Sequence, residues 1–85
     1  MITQEDIWCV IDDIARKHGI SASRLAIISG LDATVFNKSK RINGHYPSFR
    51  TIVSILNNTN ISMCDFGQMC DRQCYMREQS AQNAI

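Results

Sequence analysis

This chain lacks any run of about twenty apolar residues, the length a helix needs to cross a membrane. Its first residues, MITQEDIWC, are acidic where a secretion signal would be basic, so a cytoplasmic location is expected. At 85 residues it is one small domain, too small to bury a core and house a large active site as well. No nucleophile paired with a base, no carboxylate pair and no phosphate-binding loop is present, so an enzyme is not expected. The four cysteines, Cys9, Cys64, Cys70 and Cys74, lack the paired spacing of a zinc knuckle. Without a secretion signal they are expected to be reduced thiols. No metal, cofactor or small-molecule ligand is expected. The single proline, Pro47, disfavours helix at Tyr46 before it.

Charge of each sign is missing from one region. Residues 1–15 hold Glu5, Asp6, Asp12 and Asp13 and no basic residue. Residues 33–50 hold Lys38, Lys40, Arg41 and Arg50 and no acidic residue. The net charge of +1 therefore hides a dipole, and a dipolar domain can steer its basic end toward a polyanion. Such charges also serve simply as solvated surface. The scaffold that carries them decides between the two.

That scaffold reads as five helices, each with its own start signal. Thr3 can cap the first, with Asp6 as the acid of a capping box and Ile2 and Ile7 as a hydrophobic staple. Ile7, Val10, Ile11, Ile14 and Ala15 form its apolar stripe, with Trp8 and Cys9 at or beyond the edge. Lys17 and His18 suit its C-terminal end, and Gly19 stops it. Ser21 can cap the second helix and Asp32 the third, with Gly30 at the turn between them. Ile20 with Leu25, and Leu31 with Phe36, repeat the staple. The loop from Arg41 to Pro47 contains the turn dipeptide Asn43-Gly44. Ser48 can cap a fourth helix, Phe49 to about Asn57, so apolar that it is expected to be the central core helix. Ser62 and Asp65 open a fifth. Its stripe, Met63, Phe66, Met69, Cys70 and Cys74, either packs back on the core or runs on to meet a second subunit. From Glu78 the chain is polar and expected to fray.

The stretch Ser21–Arg41 is the organising feature. Two short helices joined by a tight turn form the shape that lays one helix in the DNA major groove. Small Ala26 suits a close helix crossing. The buried set would be Leu25, Ala26, Ile28 or Ile27, Leu31, and Val35 or Phe36. The pattern Ala26-x-x-x-Gly30-Leu31-Asp32-x-Thr34-x-Phe36 resembles the helix-turn-helix of phage-repressor and Cro-like regulators. The run FNKSKR followed by YPSFRTIVSIL is similar in particular to the N-terminal domains of self-cleaving phage repressors. The resemblance covers roughly residues 5–68. It implies a compact, all-α, five-helix lambda-repressor-like DNA-binding domain over residues 1–77, with 78–85 a flexible tail.

The resemblance also implies a transcriptional regulator, a repressor, binding a pseudo-palindromic operator as a homodimer. Ala33, Thr34, Asn37 and Lys38 are the base-reading candidates. Asn can bond adenine at two points, Thr can bond a base or pack on a thymine methyl, and Lys can reach guanine. Ser23, Lys40, Arg41, His45, Tyr46, Ser48 and Arg50 are the phosphate candidates, which position the protein without reading sequence. Met63, Phe66, Met69 and Cys70 are the candidate dimer interface. A second reading is a protein-interaction module, antitoxin- or anti-repressor-like, on the same helices. Ala22 or Ser23, and Ala33, stand where these regulators usually carry long polar residues, and Ala22 and Ala33 keep this reading open.

Overall fold

Thr3 turns the extended N-terminus into helix α1, Gln4–Lys17. Its hydroxyl accepts the Asp6 N–H and the Asp6 carboxylate accepts the Thr3 N–H, closing the expected capping box. The computed structural model describes residues 1–42 and 45–83. After α1 come α2, Ala22–Ile28, a 3-10 turn, Lys38–Lys40, and helices α3, Phe49–Thr59, and α4, Met63–Asn83. No strand occurs among the described residues, and the fold is all-α. The Asn43-Gly44 turn lies outside the described residues.

The cap residues act as their positions require. Ser21, Ser48 and Ser62 accept the N–H of Arg24, Thr51 and Asp65, each three residues on. Gly30, at φ +78°, takes the left-handed conformation that ends α2. The Leu31 N–H then reaches back to the Ala26 carbonyl at 2.9 Å, closing the turn.

Helix α1, not the fourth expected helix, is the centre of the domain. Helix α4 packs on it, α2 packs on it, and α3 is joined to the rest mainly through α2. The core joins Val10, Ile11, Ile14 and Ala15 to Leu25, Ala26, Phe36, Ile55, Leu56, Phe66 and Cys70. Helix α3 meets this core along one stripe only. Ile55 and Leu56 are buried, Ile52 and Val53 are half-buried, and Phe49 is 71% exposed. Its apolar surface is broader than the face its neighbours cover. Ile27 and Ile28, alternatives for the core in sequence, are both nearly half exposed and neither joins the core. Trp8, placed at or beyond the edge of the α1 stripe, is buried. The chain after α2 folds over it.

Helix α4 packs back on α1 through Phe66, Cys70 and Cys74, and it also runs on through Asn83. The helix therefore continues past Glu78, where a polar tail is expected from the sequence. Long-range ties hold this part of α4. Arg77 donates from Nε and Nη2 to the two Asp6 oxygens at 2.8 and 3.2 Å, and from Nη2 to the Met1 carbonyl at 2.9 Å. The Met1 amine pairs with Glu78 at 2.7 Å. Asp6 is only 1% exposed, so its charge depends on Arg77.

The Arg77 guanidinium holds the Asp6 carboxyl below the ordinary carboxylate range; burial opposes this, and the Thr3 N–H assists. A carboxyl whose folded value is lowered contributes stability above its unfolded value, about pH 4, and loses it as pH falls through the folded one. We expect Arg77→Ala to lower the thermal midpoint at neutral pH. The gap from the native protein should narrow below about pH 4, as Asp6 protonates in both. Calorimetry across pH checks this, and a constant gap down to about pH 2 would sever Asp6 from the effect.

Candidate nucleic-acid interface

The segment after Gly30 is where sequence and structure part. A third α-helix is expected from Asp32, but the chain makes two separate turns. The first is closed by the Val35 N–H to Asp32 carbonyl and Asn37 N–H to Thr34 carbonyl bonds, at 3.1 and 3.0 Å. Asn37 is then extended, with φ −62° and ψ 150°. The second turn, Lys38–Lys40, is closed by the Lys40 N–H on the Asn37 carbonyl and the Arg41 N–H on the Lys38 carbonyl.

Three local causes explain the missing helix. The Asp32 carboxylate accepts both the Thr34 N–H and the Thr34 hydroxyl, at 2.8 and 2.6 Å. This caps a tight turn as readily as a helix, and it lowers the Asp32 pKa. Thr34 and Val35 are β-branched and Phe36 is aromatic, so helix propensity is weak. Finally, the Phe36 carbonyl, which a helix would offer to the Lys40 N–H, accepts Nε of Arg41 at 2.8 Å.

The result is an arch with its polar side outward. Ala33, Thr34, Asn37, Lys38, Ser39 and Lys40 are exposed, and Phe36 is buried. Phe36 meets Trp8 edge-on, with ring centroids 5.9 Å apart. The base-reading candidates Ala33, Thr34, Asn37 and Lys38 therefore share one exposed segment, though not one helix.

The phosphate candidates divide. Lys40 lies exposed on the arch. Ser48 and Arg50 lie at the α3 N-terminus, where an anion is favourable. The Ser48 hydroxyl is already engaged with Thr51, accepting its N–H and donating to its Oγ1. Ser23 is exposed on α2. Tyr46 is exposed and not packed on the core. His45 is exposed, and its carbonyl accepts the Trp8 indole N–H at 2.9 Å. Arg41 is not an open cation. Its Nη1 and Nη2 donate to the two Asp12 oxygens at 2.7 and 2.9 Å, and its guanidinium carbon lies 5.0 Å from the Trp8 ring centroid. Its side chain is 19% exposed.

The candidate dimer residues divide as well. Phe66 and Cys70 are buried within the chain's own core and are not open to a second copy. Met63 is exposed and Met69 half-buried. The exposed apolar surface of α4 includes Met63, Tyr75 and Met76 instead. Sequence reasoning could not separate these, because one stripe looks the same whether its own chain or a partner covers it.

Beside the arch lies an open groove of about 380 Å³, between Glu5, Cys9 and Asp12 of α1 and Lys38, Arg41 and Ile42. Burial pushes the Cys9 thiol up, and Asp12 and the other nearby carboxylates push it further. It therefore stays protonated in neutral solution and is a poor nucleophile. Burial, then Asp71 and Asp6, pushes Cys70 up to about 11. Among the described residues, no three His, Cys, Asp or Glu side chains are placed to hold a metal ion. No helix there is long and apolar enough to cross a membrane.

The fold and site define an all-α domain that presents a pinned polar arch. Set against known proteins, the chain matches no family model, no curated protein and no solved structure.

Phe36 is the apolar pin of the arch. We expect Phe36→Ala to cost about 3 kcal/mol, the low end for deleting a buried aromatic, in a urea titration followed by Trp8 fluorescence. A cost under about 0.5 kcal/mol would mean that Phe36 does not anchor the segment.

Proposed function

We propose that this protein is a sequence-specific DNA-binding regulator with a lambda-repressor-like fold, acting in the cytoplasm as a repressor. Residues Ala33–Lys40 enter the major groove in the place of a recognition helix. The observation that carries this reading is the arch itself. It exposes Thr34, Asn37, Lys38 and Lys40 on a mount pinned by Phe36 and Arg41, in a stretch without an acid from 33 to 50. Thr34, Asn37 and Lys38 read base edges, with Ala33 against a thymine methyl. Lys40 and Arg50 neutralise phosphates, and Ser23, His45, Tyr46 and Ser48 border the same contact.

One arch spans only a few base pairs, so two copies act together on a pseudo-palindromic operator, about one DNA turn apart. The exposed side of α4, with Met63 and part of Met69, is the surface they share.

A specific observation favours a second reading, a protein-interaction module. Ile27, Ile28, Tyr46 and Phe49 leave much apolar surface open around α2 and the start of α3. Lys38→Glu with Lys40→Glu separates the two: duplex binding collapses, while an apolar protein contact survives.

Selection from a random duplex pool at physiological salt tests the DNA reading. We expect an enriched two-fold-symmetric site, bound by a dimer in sedimentation. Lys40→Gln should lower the slope of log affinity against log salt by about one unit. Asn37→Ala should cost about 1–3 kcal/mol at one base pair and relax the preference there. An unenriched pool, or a monomer with and without DNA, would count against the reading.

A further inference from the structure

We propose that Arg41 is a positioning residue that latches the DNA-reading arch to α1, and not a phosphate ligand; this rests on the reading above. Each nitrogen of its fork donates inward, three bonds in all. Two bonds reach Asp12, a third reaches the Phe36 carbonyl, and the ring of Trp8 lies beneath. Trp8 in turn donates to the His45 carbonyl. One cluster on α1 therefore holds the chain at Phe36, at Arg41 and at His45. Those three points bracket the Lys38–Lys40 turn and lead into the α3 cap at Ser48. The height of Asn37 and Lys38 above the core is set from this cluster.

The chemistry needs arginine. A planar fork can hold a carboxylate at two points, a backbone carbonyl at a third and an aromatic face together. A lysine ammonium keeps the charge and loses that geometry. The pairing also satisfies the guanidinium with Asp12, which leaves Lys38, Lys40 and Arg50 as the open cations of the described 33–50 stretch.

The test compares native protein with Arg41→Lys and Asp12→Asn, after circular dichroism has shown that both variants are helical. Without DNA, hydrogen exchange over residues 33–41 and the emission of Trp8, the sole tryptophan, are measured. With DNA, affinity for the selected site and for a scrambled duplex is measured across salt.

The latch requires faster exchange over 33–41 and altered Trp8 emission in both variants. With Arg41→Lys it requires about tenfold weaker binding to the selected site, little change on the scrambled duplex, and an unchanged salt slope. A change of overall stability alone would not alter that ratio in folded protein. Arg41→Lys binding the selected site as the native protein does, with unchanged exchange, would overturn the latch. If Asp12→Asn tightens the selected site more than the scrambled one, Arg41 is a released DNA ligand and the proposal fails. If native protein binds no duplex while both variants still loosen 33–41, the DNA reading fails and the latch stands as a clamp on the loop.

Discussion

Two arginines from distant parts of the chain end on carboxylates of α1, and the domain depends on that arrangement. Arg77 closes on Asp6 near the start of the helix, and Arg41 closes on Asp12 further along. The first tie holds α4 against α1 beyond its apolar stripe. The second holds the loop that follows α2. A domain this small has little apolar area to spare, so half-buried charge pairs with good geometry help decide which way its segments lie.

The same arrangement explains the charge dipole. The acidic first helix takes up two cations internally, at Arg41 and Arg77. Asp13 also pairs with Arg16 on α1 itself. The basic stretch gives up Arg41 to this purpose and keeps Lys38, Lys40 and Arg50 outward. Net charge is therefore a poor guide to this surface, because Asp6 and Asp12 pair with arginines of other segments while Lys38 and Lys40 stay exposed.

The arch has a consequence for how these side chains are presented. A helix presents side chains at a fixed pitch, whereas two turns separated by extended Asn37 present them through a mount held at Phe36 and Arg41. Rigidity must then come from the pins beneath, because no helical ladder supplies it. The cluster of Trp8, Phe36, Asp12 and Arg41 does for this segment what helix hydrogen bonds do elsewhere.

Helix starts were legible in the residues, since Thr3, Ser21, Ser48 and Ser62 each bond a backbone N–H three positions on. That offset belongs to local geometry and needs no partner. The left-handed turn at Gly30 and the buried contact of Leu25 and Ala26 were legible for similar reasons. The exposed run of candidates from Ala33 to Lys40 was also visible, but its shape was not. Asp32 can cap a helix or a tight turn, and the choice fell to the weak helix propensity of Thr34, Val35 and Phe36 together with a Phe36 carbonyl taken by Arg41. The burial of Trp8, the exposure of Phe49 and the withdrawal of Arg41 from the surface were decided by tertiary packing. So was the length of α4, through Asp6 and Arg77, partners 71 positions apart. The physical reason is common to all of them. A cap lies within reach of its own chain at a set spacing, while an ion pair or a covered ring exists only after helices with no sequence relation have been brought together.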